Sequence, residues 1–388
     1  MDARRRALLV LIAGFGLLGM PGAALGVAWP SIADELSRSL GDLGILTLAT
    51  GLAYSATSLS SGRMTQRFRA GAVLVASAVA AAGALALYSG SSSFWVFVIA
   101  SIPLGFGGGA LDATGNGYVA VRHGTRPMGT IHAAFGLGAM LAPLLMTAID
   151  ALGGSWRVGF AMLAVAEVVL AVGFWLHVSV YRMPMEGRSD APARTGSIRL
   201  LGLSVATFFA YAGVEGSTGF WAFTLLTEGQ GVSSTVAGIA VAAHWGALFV
   251  SRVLIGVVGD RLPLAQTVTV SMIVMVGGLL VLWWNPSTFL AITGLVVAGF
   301  GSGPVFPLEV LLTPGRFGEE YTPWAVGYQL GAATGAIAVI PAAIGALVNA
   351  FGPLVIAPAL VALGLITLVV VELLHSASRR ERQPAPTG

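Results

Sequence analysis

Two acids stand where an apolar chain accommodates them least easily. Asp112 lies in the apolar run from Phe94 to about Val121, within Gly105-Phe-Gly-Gly-Gly-Ala-Leu-Asp112-Ala-Thr-Gly-Asn116-Gly-Tyr118. Asn116 follows one helical turn later on the same face. Asp112 precedes Arg122 by ten residues, about 15 Å along a helix, which puts it near mid-membrane. An ionisable group at that depth is a functional candidate by default. A carboxyl there can exchange a proton as water reaches it. The plain alternative is a structural hydrogen bond to a neighbouring helix. Gly105, Gly108 and Gly109 leave room for such a helix to pack closely.

Glu215 is the second acid, in Tyr211-Ala-Gly-Val-Glu215-Gly-Ser-Thr-Gly-Phe-Trp221. Tyr211, Glu215 and Thr218 share one helical face, with Trp221 near its continuation. An acid beside ring faces and hydroxyls suits a polyol. The carboxylate accepts hydroxyl hydrogens, and an aromatic face covers the C–H side of a sugar ring. The alternative is an interhelical contact at a small-residue crossing. Glu215 is therefore a candidate for both proton coupling and solute binding.

Weaker candidates surround these two. His132 can titrate or donate to a solute, or simply cap or contact a helix end. His244, beside Trp245, carries the same two readings. Tyr328 and Gln329 are candidate uncharged solute contacts, and a buried glutamine serves as readily in a helix–helix hydrogen bond. Glu309 is expected to pair with an arginine as a gate. Arg252 and Asp260 are expected to lock the two halves together on the inside. Glu167 has no evident role in the sequence and stands outside the predicted site.

The elements that must carry these residues are membrane helices. The chain has 388 residues, 56% hydrophobic and 10% charged, with a mean hydropathy of +0.86. A soluble domain carries about 25% charged residues, so this composition cannot solvate a globular surface. About 20 apolar residues span a bilayer. Twelve such segments are predicted: 7–28, 43–60, 71–88, 94–120, 128–149, 158–180, 200–226, 232–256, 264–284, 288–312, 324–348 and 351–374. The polar, Pro- and Gly-containing stretch RMPMEGRSDAPARTG reads as a linker. It divides the chain into an N-terminal bundle (1–181), a cytoplasmic linker (182–198), a C-terminal bundle (199–374) and a cytoplasmic tail (375–388). The fold expected is all-α, with twelve transmembrane helices in two pseudo-symmetric six-helix bundles.

Charge sets the expected orientation. All twenty basic residues other than histidine are arginine. With the N-terminus inside, eighteen fall on cytoplasmic segments and only Arg38 and Arg157 on outer ones. That is a strong positive-inside bias, with both termini in the cytoplasm and the protein in the plasma membrane. Arg4-Arg5-Arg6 mimics a secretory or twin-arginine signal, but the apolar run behind it is too long for a cleaved signal's core, so a retained anchor helix is expected. The halves also echo each other. Gly105-Phe-Gly answers Gly299-Phe-Gly, Pro143 answers Pro341, and Gly62-x-x-x-Gln66-Arg67 answers Gly256-x-x-x-Asp260-Arg261. Repeats of this kind point to two bundles around a midplane site, which is transporter architecture.

Several chemistries are excluded. There is no cysteine, hence no disulfide framework and no thiolate metal site. No His/Glu cluster has zinc spacing, and no Walker motif supports direct use of ATP. Gly105-x-Gly-Gly-Gly follows no strand and is not a dinucleotide loop. In Asn285-Pro-Ser, proline occupies the position that forbids glycosylation. The basic residues sit between apolar segments, which argues against nucleic acid. No enzyme activity, cofactor or metal is expected. The expected partners are a small solute, protons or sodium, and lipid, acting on a monomer.

The motifs resemble a known family. The twelve spans, the central linker and Gly256-Val-Val-Gly-Asp260-Arg261 resemble the major facilitator superfamily, whose loop signature is a glycine followed by Asp-Arg four and five residues on. The N-terminal copy departs from it, with Gln66 in the aspartate position and Arg69 where a second glycine would stand. Within that superfamily the chain is similar to the fucose–galactose–glucose:proton symporter group. Leu111-Asp112-Ala-Thr-Gly-Asn116-Gly-Tyr118 resembles that group's fourth-helix Leu-Glu-Thr-Ala-Ala-Asn-Pro-Tyr/Phe. Tyr211-Ala-Gly-Val-Glu215 resembles its Tyr-Val-Gly-Ala-Glu, His244-Trp245-Gly246 with Ser251-Arg252 its Trp-Gly…Gly-Arg, and Phe306-Pro307 its Phe-Pro. The resemblance implies alternating access, with the proton on Asp112 and solute contact at Asn116. The first-helix aspartate found in some bacterial members has no counterpart here, and Gly117 replaces the proline after Asn116.

The resulting expectation is a secondary transporter, proton-coupled symport of a sugar or similar solute. Its alternatives are a proton-antiport exporter of drugs or metabolites on the same fold, and a non-transporting membrane sensor or binding subunit. The expected proton-coupling residues are Asp112 and Glu215. The expected solute contacts are Asn116, His132, Tyr211, Glu215, Trp221, His244, Trp245, Tyr328 and Gln329. The expected cytoplasmic gate is Gly62, Arg67, Arg252, Gly256, Asp260 and Arg261.

Overall fold

The computed structural model describes residues 2–122, 125–181, 196–258, 261–285 and 287–382. Among them are twelve helices long and apolar enough to cross a membrane. They are α1 (Ala3–Glu35), α2 (Leu40–Ser61), α3 (Ala70–Gly90), α4 (Phe94–Val119), α5 (Pro127–Ala151), α6 (Trp156–Leu176), α7 (Ile198–Gly229), α8 (Ser234–Val257), α9 (Leu264–Trp284), α10 (Thr288–Phe317), α11 (Trp324–Phe351) and α12 (Pro353–Glu381). With an even number of crossings, both termini lie at one end of the molecule, called here the termini end.

The helices form two six-helix bundles with matching internal packing. In the N-terminal bundle α2 packs on α4, α3 on α4 and α6, and α1 on α5; in the C-terminal bundle α8 packs on α10, α9 on α10 and α12, and α7 on α11. The bundles meet along α5–α8, α2–α11 and α1–α7.

Helix ends differ from the apolar edges in the sequence. Backbone hydrogen bonds do not stop where apolar residues run out. Helix α1 therefore extends to Glu35, and α12 continues through His375 to Arg382, so the expected tail begins as helix. The expected linker lies almost entirely outside the described residues. Helix α1 is interrupted at Gly19. Helix α10 is built from three segments, Thr288–Ser302, Val305–Leu312 and Pro314–Phe317, broken beside Pro304 and Pro314, each lacking the N–H that a continuous helix needs. Arg69 joins the helices on either side at φ 61°, a region that suits glycine rather than arginine. The glycine missing from the N-terminal loop motif is thus missing where the backbone calls for it.

The two ends of the molecule differ. At the end opposite the termini, Gly41 approaches so closely that a Cβ there would lie 2.0 Å from the Gly345 carbonyl oxygen. The Gly41 N–H donates to the Asn349 side chain at 2.8 Å. Ser234 on α8 donates to Asp150 on α5 at 2.7 Å. The two bundles are therefore in contact at this end. Gly129 on α5 and Gly327 and Gly331 on α11 have open space where a Cβ would project. The two arginines predicted outside are both held at the closed end, Arg38 on Asp42 at 2.9 Å and Arg157 on Glu35 at 2.8 Å.

Candidate solute and proton site

Small residues build the first half of the site. A Cβ at Gly105 would meet the Thr50 carbonyl oxygen at 2.0 Å, and one at Gly109 the Tyr54 carbonyl oxygen at 2.3 Å. Helix α2 rests on this glycine face of α4, which brings Tyr54 to the acid. The Tyr54 hydroxyl donates to Asp112 Oδ2 at 2.7 Å. Asn116 Nδ2 donates to Asp112 Oδ1 at 2.7 Å and to the Asp112 carbonyl at 2.9 Å. Asp112 is half-buried, and no described ion pair includes it. Its hydrogen-bond partners are neutral. His132 on α5 is exposed, and its ring stands edge-on to Phe15 at 6.0 Å.

The second acid is held differently. Arg252 Nη2 lies 3.0 and 3.2 Å from the Glu215 oxygens, and its Nε donates to the Gly303 carbonyl at 3.2 Å. The buried Tyr211 hydroxyl reaches the same Glu215 carboxylate and the Ser302 carbonyl, the latter at 2.7 Å. Arg252 was expected at a cytoplasmic lock with Asp260. It sits instead inside α8, because a cation within a helix bundle takes the nearest acid facing it.

Between the bundles lies a cavity of about 280 Å³. Its walls come from α1 to α8, α10 and α11. Leu25, Gly51, Tyr54, Gly107, Gly108, Leu111 and Glu167 line the N-terminal side; Tyr211, Glu215, Gly216, Phe220, Trp245, Phe306 and Thr334 line the other. Both acid pairs therefore border one space, Asp112 through Tyr54 and Glu215 directly.

A family-wide sequence profile, the Major Facilitator Superfamily, matches residues 11–201 and again 203–387. The chain belongs to the Major Facilitator Superfamily. By family it is a non-enzymatic membrane transporter. Among curated proteins it is 26% identical over 278 residues to Bypass of stop codon protein 6 of Saccharomyces cerevisiae, covering 64% of this chain and 56% of the yeast protein. It is 21% identical over 312 residues to the glucose/mannose transporter GlcP of Bacillus subtilis, covering 77% of each. In fold it is similar to the crystal structure of a bacterial homologue of the human lysosomal transporter Spinster, inward-facing and unoccupied. The TM-score there is 0.75 at 14% identity, with all of both chains covered.

Within this superfamily scaffold the remaining predicted residues divide. Tyr211, Glu215 and Trp245 line the cavity. Asn116 does not stand among the lining residues, and its amide is spent on Asp112. Trp221 is fully buried and donates to the Pro341 carbonyl at 3.1 Å, so it packs α7 on α11. His244 is buried with Nδ1 2.9 Å from the Leu295 carbonyl oxygen, an α8–α10 contact. Gln329 donates to Ser204 at 2.7 Å and Thr313 at 3.1 Å, tying α11 to α7 and α10, while its neighbour Tyr328 is half exposed. Trp221, His244 and Gln329 answer to packing because each hydrogen-bonds a neighbouring helix.

The expected gate is also redistributed. Arg67 and Arg261 are exposed, Gly62 lies within a helix that runs to Phe68, and Gly256 faces open space. Asp260 lies outside the described residues. Glu309 pairs with Arg316 at 2.6 Å and with His375 at 2.8 Å. All three belong to the C-terminal bundle, so this buried cluster ties α10 to α12 and joins no two halves. Most of the lining residues were absent from the predicted site, Tyr54 and Glu167 among them. Tyr54 belongs to no motif. Glu167 carried the one available signal, an acid in a membrane span.

Proposed function

We propose that this protein is a proton-coupled importer of a sugar or similar small polyol, working by alternating access in the plasma membrane. The observation that carries the reading is the environment of Asp112, a mid-helix acid that only neutral donors hydrogen-bond, one of them on the wall of the central cavity. Such an acid can gain and lose a proton without stranding a buried cation. A wall with hydroxyls, acids and ring faces suits a polyol. A space of about 280 Å³ lies just below the roughly 300–1,000 Å³ of drug-sized sites. The relationship to a glucose/mannose transporter adds support.

In the proposed cycle Asp112 takes a proton from outside, solute binds between the bundles, and the halves rock about the site. Proton and solute then leave inward. The arginine bias puts the termini end in the cytoplasm, which makes the contact end the outer one. A proton moving inward gains about 2.3 kcal/mol per 100 mV, enough for roughly fifty-fold accumulation.

Proteoliposomes test this. Asp112→Asn is expected to abolish proton-driven accumulation while solute counterflow persists; full accumulation by the variant would remove Asp112 from coupling. One observation favours a second reading, proton-antiport export: Phe220 and Phe306 stand on the cavity wall and suit an apolar ligand. Proton uptake driven by added hexose supports import, and proton release on drug addition supports export.

A further inference from the structure

Two buried polar atoms on opposite walls of the central cavity have no hydrogen-bond partner. On the N-terminal side it is Glu167 Oε2, on α6; on the C-terminal side it is the indole N–H of Trp245, on α8. One accepts hydrogen bonds and the other only donates. An orphaned buried polar group costs about 1–3 kcal/mol, and native proteins rarely leave one without a reason. Neither residue belongs to either acid pair described above.

Four of the hydroxyls around the cavity sharpen the point. Thr47, Tyr54, Ser77 and Thr334 each give their hydrogen to a protein acceptor, at 2.7–3.0 Å. They offer lone pairs to a ligand and no hydrogen. Arg252, the cation beside the cavity, is engaged by Glu215. Among the described lining residues, these hydroxyls present acceptors, and the Trp245 indole is a buried donor with no partner. No arginine or histidine stands among the described lining residues, so an anionic solute finds no free cation on this wall. A solute that mostly donates, while accepting at one point, fits best. Hydroxyl groups do both.

We propose that Glu167 and Trp245 are the opposed anchors of a binding site for a neutral polyhydroxyl solute. Glu167 takes a hydrogen from one solute hydroxyl, and the Trp245 N–H gives a hydrogen to another oxygen. Because the two residues belong to different bundles, a bound solute links the halves. This rests on the polyol reading of the central site and adds to it a residue from α6, the exclusion of sugar acids and the polarity of the two contacts.

The experiment uses the full chain in detergent micelles, titrated calorimetrically with glucose, galactose, mannose, fucose and galactonate. The tightest-binding hexose is then replaced by its monodeoxy analogues. Glu167→Met and Trp245→Phe are each expected to weaken that hexose about tenfold or more, and Glu167→Gln, which keeps a carbonyl acceptor, to recover part of the loss. Each variant should be indifferent to the loss of one particular hydroxyl that the unaltered protein discriminates. Galactonate should bind none of them. Hexose binding with unchanged affinity in Glu167→Met and Trp245→Phe would overturn the inference and leave the polyol reading standing. Galactonate binding tighter than any hexose would also overturn it. If no hexose binds the unaltered protein, both fall.

Discussion

Asp112 and Glu215 each stand within a membrane helix, one in each bundle, yet the fold treats them oppositely. Asp112 is hydrogen-bonded by a phenol and an amide, both neutral. Glu215 is held by a guanidinium, 3.0 Å away. Removing the charge from Asp112 strands nothing. Removing it from Glu215 leaves the half-buried Arg252 without its carboxylate. Breaking a buried pair costs more than its formation contributes, because the surviving charge keeps its desolvation penalty. The contrast separates an acid on whose charge no cation depends from one committed to holding α7 on α8.

Four substitutions test that contrast. The largest effect is expected from Arg252→Met, which leaves Glu215 unpaired and should cost about 3–5 kcal/mol. Thermal denaturation would show it, and the double variant Glu215→Gln/Arg252→Met should recover most of the loss. If the double is no better than the single, the pair is not what stabilises the contact. Next is Gly109→Val. Its side chain would collide with the Tyr54 carbonyl, which a Cβ alone would meet at 2.3 Å. Overpacking should cost about 1–3 kcal/mol and push α2 off α4, with proton-driven uptake lost alongside.

Tyr54→Phe comes third, at about 0.5–1.5 kcal/mol for one hydrogen bond. Its packing is preserved, so any larger fall in melting temperature would mean that Tyr54 holds more than Asp112. Smallest in stability is Asp112→Asn, expected within about 1 kcal/mol of the parent because an amide can keep the Tyr54 and Asn116 contacts in place. Its transport defect should nevertheless be the more complete. A destabilisation as large as that of Arg252→Met would erase the distinction between the two acids.

How far the sequence reached can be judged at these same residues. The pairs Asp112–Asn116 and Tyr211–Glu215 were legible because each spans four residues on one helix, and helix geometry alone places such residues together. The glycines of α4 announced a close helix contact, but not which residue would arrive on the helix they admitted; that was Tyr54. Arg252 looked like a loop charge from its place near a span end. It became the partner of Glu215 because α8 turns it inward. Gln329, Trp221 and His244 looked like solute contacts since polar and aromatic residues in a span can face either a cavity or a neighbour, and composition does not record which.

By itself the sequence determined the class of molecule. A chain this poor in charge must place its surface in lipid, twelve apolar lengths must cross it, and an acid within such a length must have a purpose. It also determined contacts local to one helix. Only the tertiary structure decided which acid keeps a cation, that Glu167 reaches the central cavity, and that its unpartnered oxygen has a counterpart in the Trp245 indole. Those facts depend on the rotation and register of helices far apart in the chain. Side-chain packing between helices sets that rotation, and no spacing within a single segment encodes it.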